Sequence, residues 1–290
     1  MAAVTVQQTT IGNATRSVRA LLVTAALLPS LCAPAMLAAQ TDGCSAAVTP
    51  TRLATQALAA AAVTGIEYQD MARQGSWHMA QESDKAAVFA HPSSHLHGLG
   101  SYHMARNLSE ACGNDSQRRQ RALRGAAISL ALGAAKEVSD GWYNGFSPVD
   151  LGVDALGAGY AVAQAYVPVL RHLTPTYSVA PQAFTGDNGV RGAMTNYAHQ
   201  TLWLSANVHN MLPTTAAKVW PAAMRLSIGR RAAGNGSPTD YVVGLDLDAQ
   251  QLPGSHPAWM KIKQVMHNVR LPGPALIVNS RGTRSVGLYW

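Results

Sequence analysis

Two hydrophobic periods divide the chain. Up to about residue 170, small and apolar residues recur at helical intervals. A first helix is expected over 51–74, with Leu53, Ala57, Ala60 or Ala61 and Thr64 on one face. LHGLGSYHMARNL (96–108) predicts a second helix, with His97 and Ser101 one turn apart and His103 turned away. RALRGAAISLALGAAKEVSD (121–140) predicts a third, rich in the alanine and leucine that favour packed helices. Gly141 ends it. Asn144-Gly145 supplies a bend, Ser147 an N-cap and Pro148 a first helical position, so a fourth helix follows at once. Ser147-x-x-Asp150 reads as a capping pattern that sets an acid near the helix's positive end.

Beyond Leu170 the period changes. Residues 173–195 are turn-rich and read as a linker, and residues 196–290 alternate as half-buried strands do. Leu202, Leu204, Ala206 and Val208 oppose Trp203, Ser205 and Asn207. Met224, Leu226 and Ile228 oppose Arg225 and Ser227. Tyr241, Val243, Leu245 and Leu247 oppose Asp246 and Asp248, a pair that reads as a solvated strand face. About five strands are visible, fewer than the eight of the smallest closed outer-membrane barrels, although the chain ends on aromatic Tyr289-Trp290 as such barrels commonly do. WMKIKQVMHNV (259–269) returns to a helical period, with Ile262, Val265, Met266 and Val269 on one stripe. The fold class expected is α+β: a helical bundle over 40–172 and a small antiparallel sheet with one amphipathic helix over 196–290.

Composition sharpens this picture in three places. The chain of 290 residues is 48% hydrophobic and only 13% charged, ample for a core, and its scarce phenylalanine and abundant alanine favour close helix packing. Arg16 and Arg19 precede the apolar run ALLVTAALLPSLCAPAMLAA, which reads as an export signal over 1–39. Leu31 before Cys32 is a poor residue for a lipid-modification box. With Cys32 removed, Cys44 and Cys112 remain, and an even pair in an exported chain predicts a disulfide, two separate thiols being the alternative. The net charge of +7 is scattered, apart from Arg118, Arg119, Arg121 and Arg124. No nucleic-acid-binding motif is present, and the arginine cluster reads as a solvated face or a contact for anionic lipid head groups.

The chemistry concentrates between Lys136 and Tyr160. Glu137 and Asp140 share a face at the end of the third helix, and Asp150 and Asp154 share one at the start of the fourth. A short turn holds two helices close, so the four carboxylates are expected to meet in one seam. A buried acid requires a partner, for which Lys136, Arg124 or a histidine stand near. His97, Glu137, Asp140, Asp150 and Asp154 are the candidate catalytic residues, and His97, Glu137, Asp150 and Asp154 the candidate metal ligands. No cofactor motif is recognised.

HGLGSYHMAR followed by GAAKEVSDGWYNGFSPVDLGVDALGAGY resembles the YfiM-like family of predicted periplasmic lipoproteins of unknown function. QTLWLSANV, YVVGLDLD, LPGPALIVN and VGLYW resemble the C-terminal extension of its longer members. The family's Asp-Lys before the histidine is Ser93-Ser94 here, and its Asn is Asp154. The resemblance implies an exported, periplasmic protein; association with the outer membrane, and a membrane surface or an envelope protein as partner, are further expectations. It implies no activity. The preferred reading is a non-catalytic envelope protein with a buried polar network; the alternative is a metal-dependent or acid/base hydrolase using the same seam.

Overall fold

The computed structural model describes residues 50–68, 76–82, 85, 91–109, 115–184, 196–231 and 239–289. The expected signal peptide, Cys32, Cys44 and Cys112 lie outside these residues. The fold is α+β. By contacts the chain divides into one unit of residues 1–90 with 100–162 and another of 91–99 with 163–290. The boundaries at 99/100 and 162/163 fall inside two helices, Pro92–Ser109 and Pro148–Tyr166.

The helices are α1 (Pro50–Glu67), α2 (Pro92–Ser109), α3 (Asp115–Asp140) and α4 (Pro148–Tyr166). Pro92 opens α2 rather than breaking it, as its missing N–H allows in a first turn. Alanine sets the packing: Ala105 of α2, Ala126 of α3, and Ala158 and Ala161 of α4 form one core with Tyr102. Leu108, Ile128 and Leu132 form a second cluster, against which Leu53 of α1 packs. Among the described residues no helix is long and apolar enough to cross a membrane.

The second unit holds a six-stranded sheet in the order β1 (Leu173–Val179), β2 (Gln200–Ala206), β3 (Met224–Arg231), β4 (Asp240–Leu247), β5 (Gly273–Asn279), β6 (Arg284–Tyr289). Every neighbouring pair is antiparallel. The stretch read as a linker therefore begins with a strand. Pro175 is tolerated there because β1 is a sheet edge.

The alternation was legible, but its polarity is the reverse of a soluble sheet. Thr174, Thr176, Ser178, Thr201, Ser205, Arg225, Ser227 and Asp246 are buried, while Ile228, Val243, Leu276 and Val286 are 45–80% exposed. The sheet curls around its polar side. Tyr289 of β6 meets Trp203 of β2 edge-on at 5.9 Å, and the Arg270 guanidinium lies 3.7 Å from the Trp203 ring centre. Gly229 makes room for that indole, since a Cβ there would lie 2.3 Å from it.

Helix α5 (Pro257–Asn268) repeats the reversal. Its expected apolar stripe is exposed at Ile262, whereas Lys263 and His267 are buried. Lys263 Nζ donates to the carbonyls of Leu252 and Gly254 at 2.8 and 2.9 Å. These bonds offset the cost of burying the ammonium.

Candidate functional site

The turn between α3 and α4 forms as its residues predict. Gly145 takes a φ of +99°, a backbone shape open mainly to glycine. Ser147 Oγ accepts from the Asp150 N–H at 3.0 Å, which is the expected N-cap. Residues 76–82 run alongside: Ala80 N donates to Phe146 O, and Phe146 N to His78 O. The Trp77 indole donates to Val138 O at 3.0 Å and occupies the space that a side chain at Gly141 would need.

This frame holds the carboxylates in place. Glu137 is completely buried, and its Oε2 accepts from the Ser147 N–H at 3.1 Å. Asp140 is 3% exposed and bound from two sides, by the Tyr68 hydroxyl and by Lys136 Nζ at 2.8 Å. Tyr68 stacks on Tyr143 with ring centres 4.0 Å apart. The Ser147 hydroxyl donates to Glu82. Asp154 is buried against α3, where a Cβ on Gly133 would lie 2.4 Å from its Oδ2. Asp150 is half-buried.

Of the suggested partners, Lys136 engages Asp140, one helical turn away. His97 lies on α2 in the stretch that groups with the other unit, on the same helix as Ser101 and Tyr102. Tyr68 and Glu82 were missed in the sequence; nothing in their local spacing marks them, because they reach the seam through the tertiary fold. Arg121, read as part of a solvated cluster, is instead buried at 8% exposure.

The sheet interior carries a second polar cluster, which overturns the reading of Asp246 and Asp248 as a solvated face. Arg225 Nη2 donates to Asp246 Oδ2 at 2.7 Å, and Ser205 Oγ donates to the same oxygen at 3.0 Å. Asp248 caps the helical turn Ala249–Gln251, accepting from Gln250 N at 3.0 Å, and pairs with His267 Nδ1 at 3.0 Å. Burial alone would raise the Asp248 pKa. The hydrogen bond and charge of His267, the charge of Arg225 and the Gln250 N–H outweigh it and hold the carboxyl below its ordinary value.

A depressed carboxyl pKa contributes stability that is complete above the unfolded value of about 4 and is lost as pH falls through the folded value. Thermal melts from neutral to acid pH should therefore show the wild-type midpoint falling below about pH 4, and that of Asp248→Asn falling less steeply. Parallel curves would remove Asp248 from the acid response.

No family model matches the chain, and no curated protein or solved structure matches it either.

Proposed function

We propose that this chain is an exported cell-envelope protein whose helical bundle is fastened by a buried polar network rather than organised for catalysis. The observation that carries this reading is the mutual engagement of the seam. Asp140 is held by Tyr68 and Lys136, Glu137 by a backbone N–H, and Ser147 by Glu82. Networks of this kind specify one packing arrangement even where they add little net stability. The N-terminal leader pattern and the YfiM-like motifs support the envelope location, with a membrane surface or an envelope protein as partner.

Glu137→Gln and Asp140→Asn should each lower stability by about 1–3 kcal/mol, the cost of leaving a buried partner unsatisfied, read as a fall in melting temperature of the mature chain. Unchanged melting in both variants would end the fastening role.

The second reading is a metal-dependent hydrolase that uses the candidate ligands His97, Glu137, Asp150 and Asp154, two of which, Glu137 and Asp154, are buried carboxylates. Zinc binding to the folded chain alone would raise its melting temperature. On this reading the shift appears in the wild type and disappears in His97→Ala. Absence of any shift in the wild type returns the seam to a purely fastening role.

A further inference from the structure

The outward face of the sheet is ordered in rows. The strand register aligns Pro175, Leu204, Ile228, Val243, Leu276 and Val286 side by side across all six strands, without one polar side chain. The next outward row toward the β3–β4 and β5–β6 connections runs Tyr177, Leu202, Arg230, Tyr241, Val278, Arg284. On the other side of the apolar row lie Leu173, Leu226, Leu245 and Leu288, then Met224 beside Leu247. Three apolar rows about 7 Å apart span roughly 14 Å from first to last, bounded on one side by tyrosine and arginine.

We propose that this face contacts the hydrocarbon of a lipid bilayer, with the Tyr177–Arg284 row at the head-group boundary. The choice of lipid over a protein partner rests on three features. First, the inward face is already occupied by a buried ion pair, serines, threonines and the cluster of Trp203, Val242, Ala275 and Tyr289, and the apolar residues of the outer rows stand outside it. Apolar-out and polar-in alternation is the pattern of strands whose solvent is lipid. Second, protein interfaces carry about one hydrogen bond per 100–200 Å² and a polar rim all round, whereas these rows offer no polar side chain and have their tyrosines and arginines along one border. Tyrosine and arginine place an apolar body in the membrane and a polar tip at its boundary. Third, the span of the rows is close to the roughly 15 Å of one hydrocarbon leaflet, which fits immersion rather than adsorption on head groups.

Two further details agree. A shallow apolar depression of about 440 Å³ opens on this face, with Leu204, Ile228, Val243 and Leu276 among its lining, and its chemistry suits an acyl chain. The chain after α5 also attends to the sheet edges, where lipid would leave backbone groups unsatisfied. Arg270 N donates to Tyr177 O on β1 at 2.8 Å, and Arg270 Nη1 to Tyr289 O on β6 at 2.9 Å.

The inference deepens the membrane association in the reading above, and its test is separable, because the seam variants report on α3 while this one reports on β4–β6. Full-length chain is mixed with neutral phosphatidylcholine vesicles at high salt, which screens head-group electrostatics, and floated on a density gradient. The wild type should float. Val243→Asp/Leu276→Asp should lower the bound fraction at least tenfold, while Leu123→Asp, on the exposed face of α3, should leave it unchanged. Should the aspartates prevent folding, Val286→Trp gives the second readout: its added emission should be quenched by vesicles with brominated acyl chains. Equal flotation of wild type and aspartate variant, or added emission indifferent to bromine, overturns the proposal. So does a wild-type chain that stays off the vesicles as a dimer and that the aspartates split, since a second copy would then cover the face.

Discussion

Asp246→Ala is expected to cost the sheet unit about 3–5 kcal/mol, the range for breaking a buried ion pair from one side. The side chains of Arg225 and Asp246 are 1% and 0% exposed, and their contact is 2.7 Å. Removing the carboxylate leaves a guanidinium that cannot deprotonate and has no water to turn to. It also removes the acceptor for Ser205 Oγ and for the Leu247 N–H at 2.7 Å. Asp246→Asn should be only slightly milder, because the shape returns without the charge. Arg225→Met/Asp246→Leu should recover much of the loss, since replacing both members of a buried pair by apolar groups is often close to neutral. Urea unfolding followed by tryptophan emission measures all three. A loss under about 1 kcal/mol for Asp246→Ala would mean that Arg225 finds other compensation, and the ion pair would no longer be the centre of the sheet's interior.

The same pair shows how far the sequence could be read. The period of two at Tyr241–Asp248 announced a strand, and period is a local property that needs only the pleat. Which face is inside depends on what the other strands contribute. Arg225 and Asp246 lie 21 positions apart and become partners only through the β3–β4 register. A reader who assumes water outside assigns Leu226, Ile228 and Val243 to the core and Asp246 to the surface, which is the wrong way round here. The helix stripe Ile262–Met266 misleads for the same reason. β1 was hidden because Pro175 and a neighbouring turn-rich composition outweigh six other strand-compatible residues.

At the α3–α4 turn the sequence was far more telling, because caps, bends and helix breaks are short-range. Ser147, Pro148, Gly145 and the acids three and four positions apart all specify their own geometry. Their partners Tyr68 and Glu82 come from 72 and 65 residues away, and no spacing rule reaches that distance.

The other large effect expected concerns how closely the helices approach. Gly125→Ala should destabilise the helical unit by about 1–3 kcal/mol, the usual cost of overpacking a filled site. The added Cβ would lie 2.4 Å from the Ala105 carbonyl oxygen and 3.3 Å from both Leu108 Cβ and Ser109 N. The nearest obstacle is backbone of α2, which no rotamer change can clear, so the two helices must separate and loosen the Tyr102–Ala105–Ala126 cluster. Helix propensity acts against this by up to about 1 kcal/mol, since alanine is the better helix former. Gly159→Ala isolates that opposing effect: a Cβ there meets nothing within 4 Å, and the position lies within α4. It should therefore stabilise by up to about 1 kcal/mol. One substitution at two helical glycines thus has opposite expected signs, and the difference in their melting temperatures measures the α2–α3 contact free of propensity. Stabilisation at both positions would show that α2 and α3 stand farther apart than the 2.4 Å approach requires.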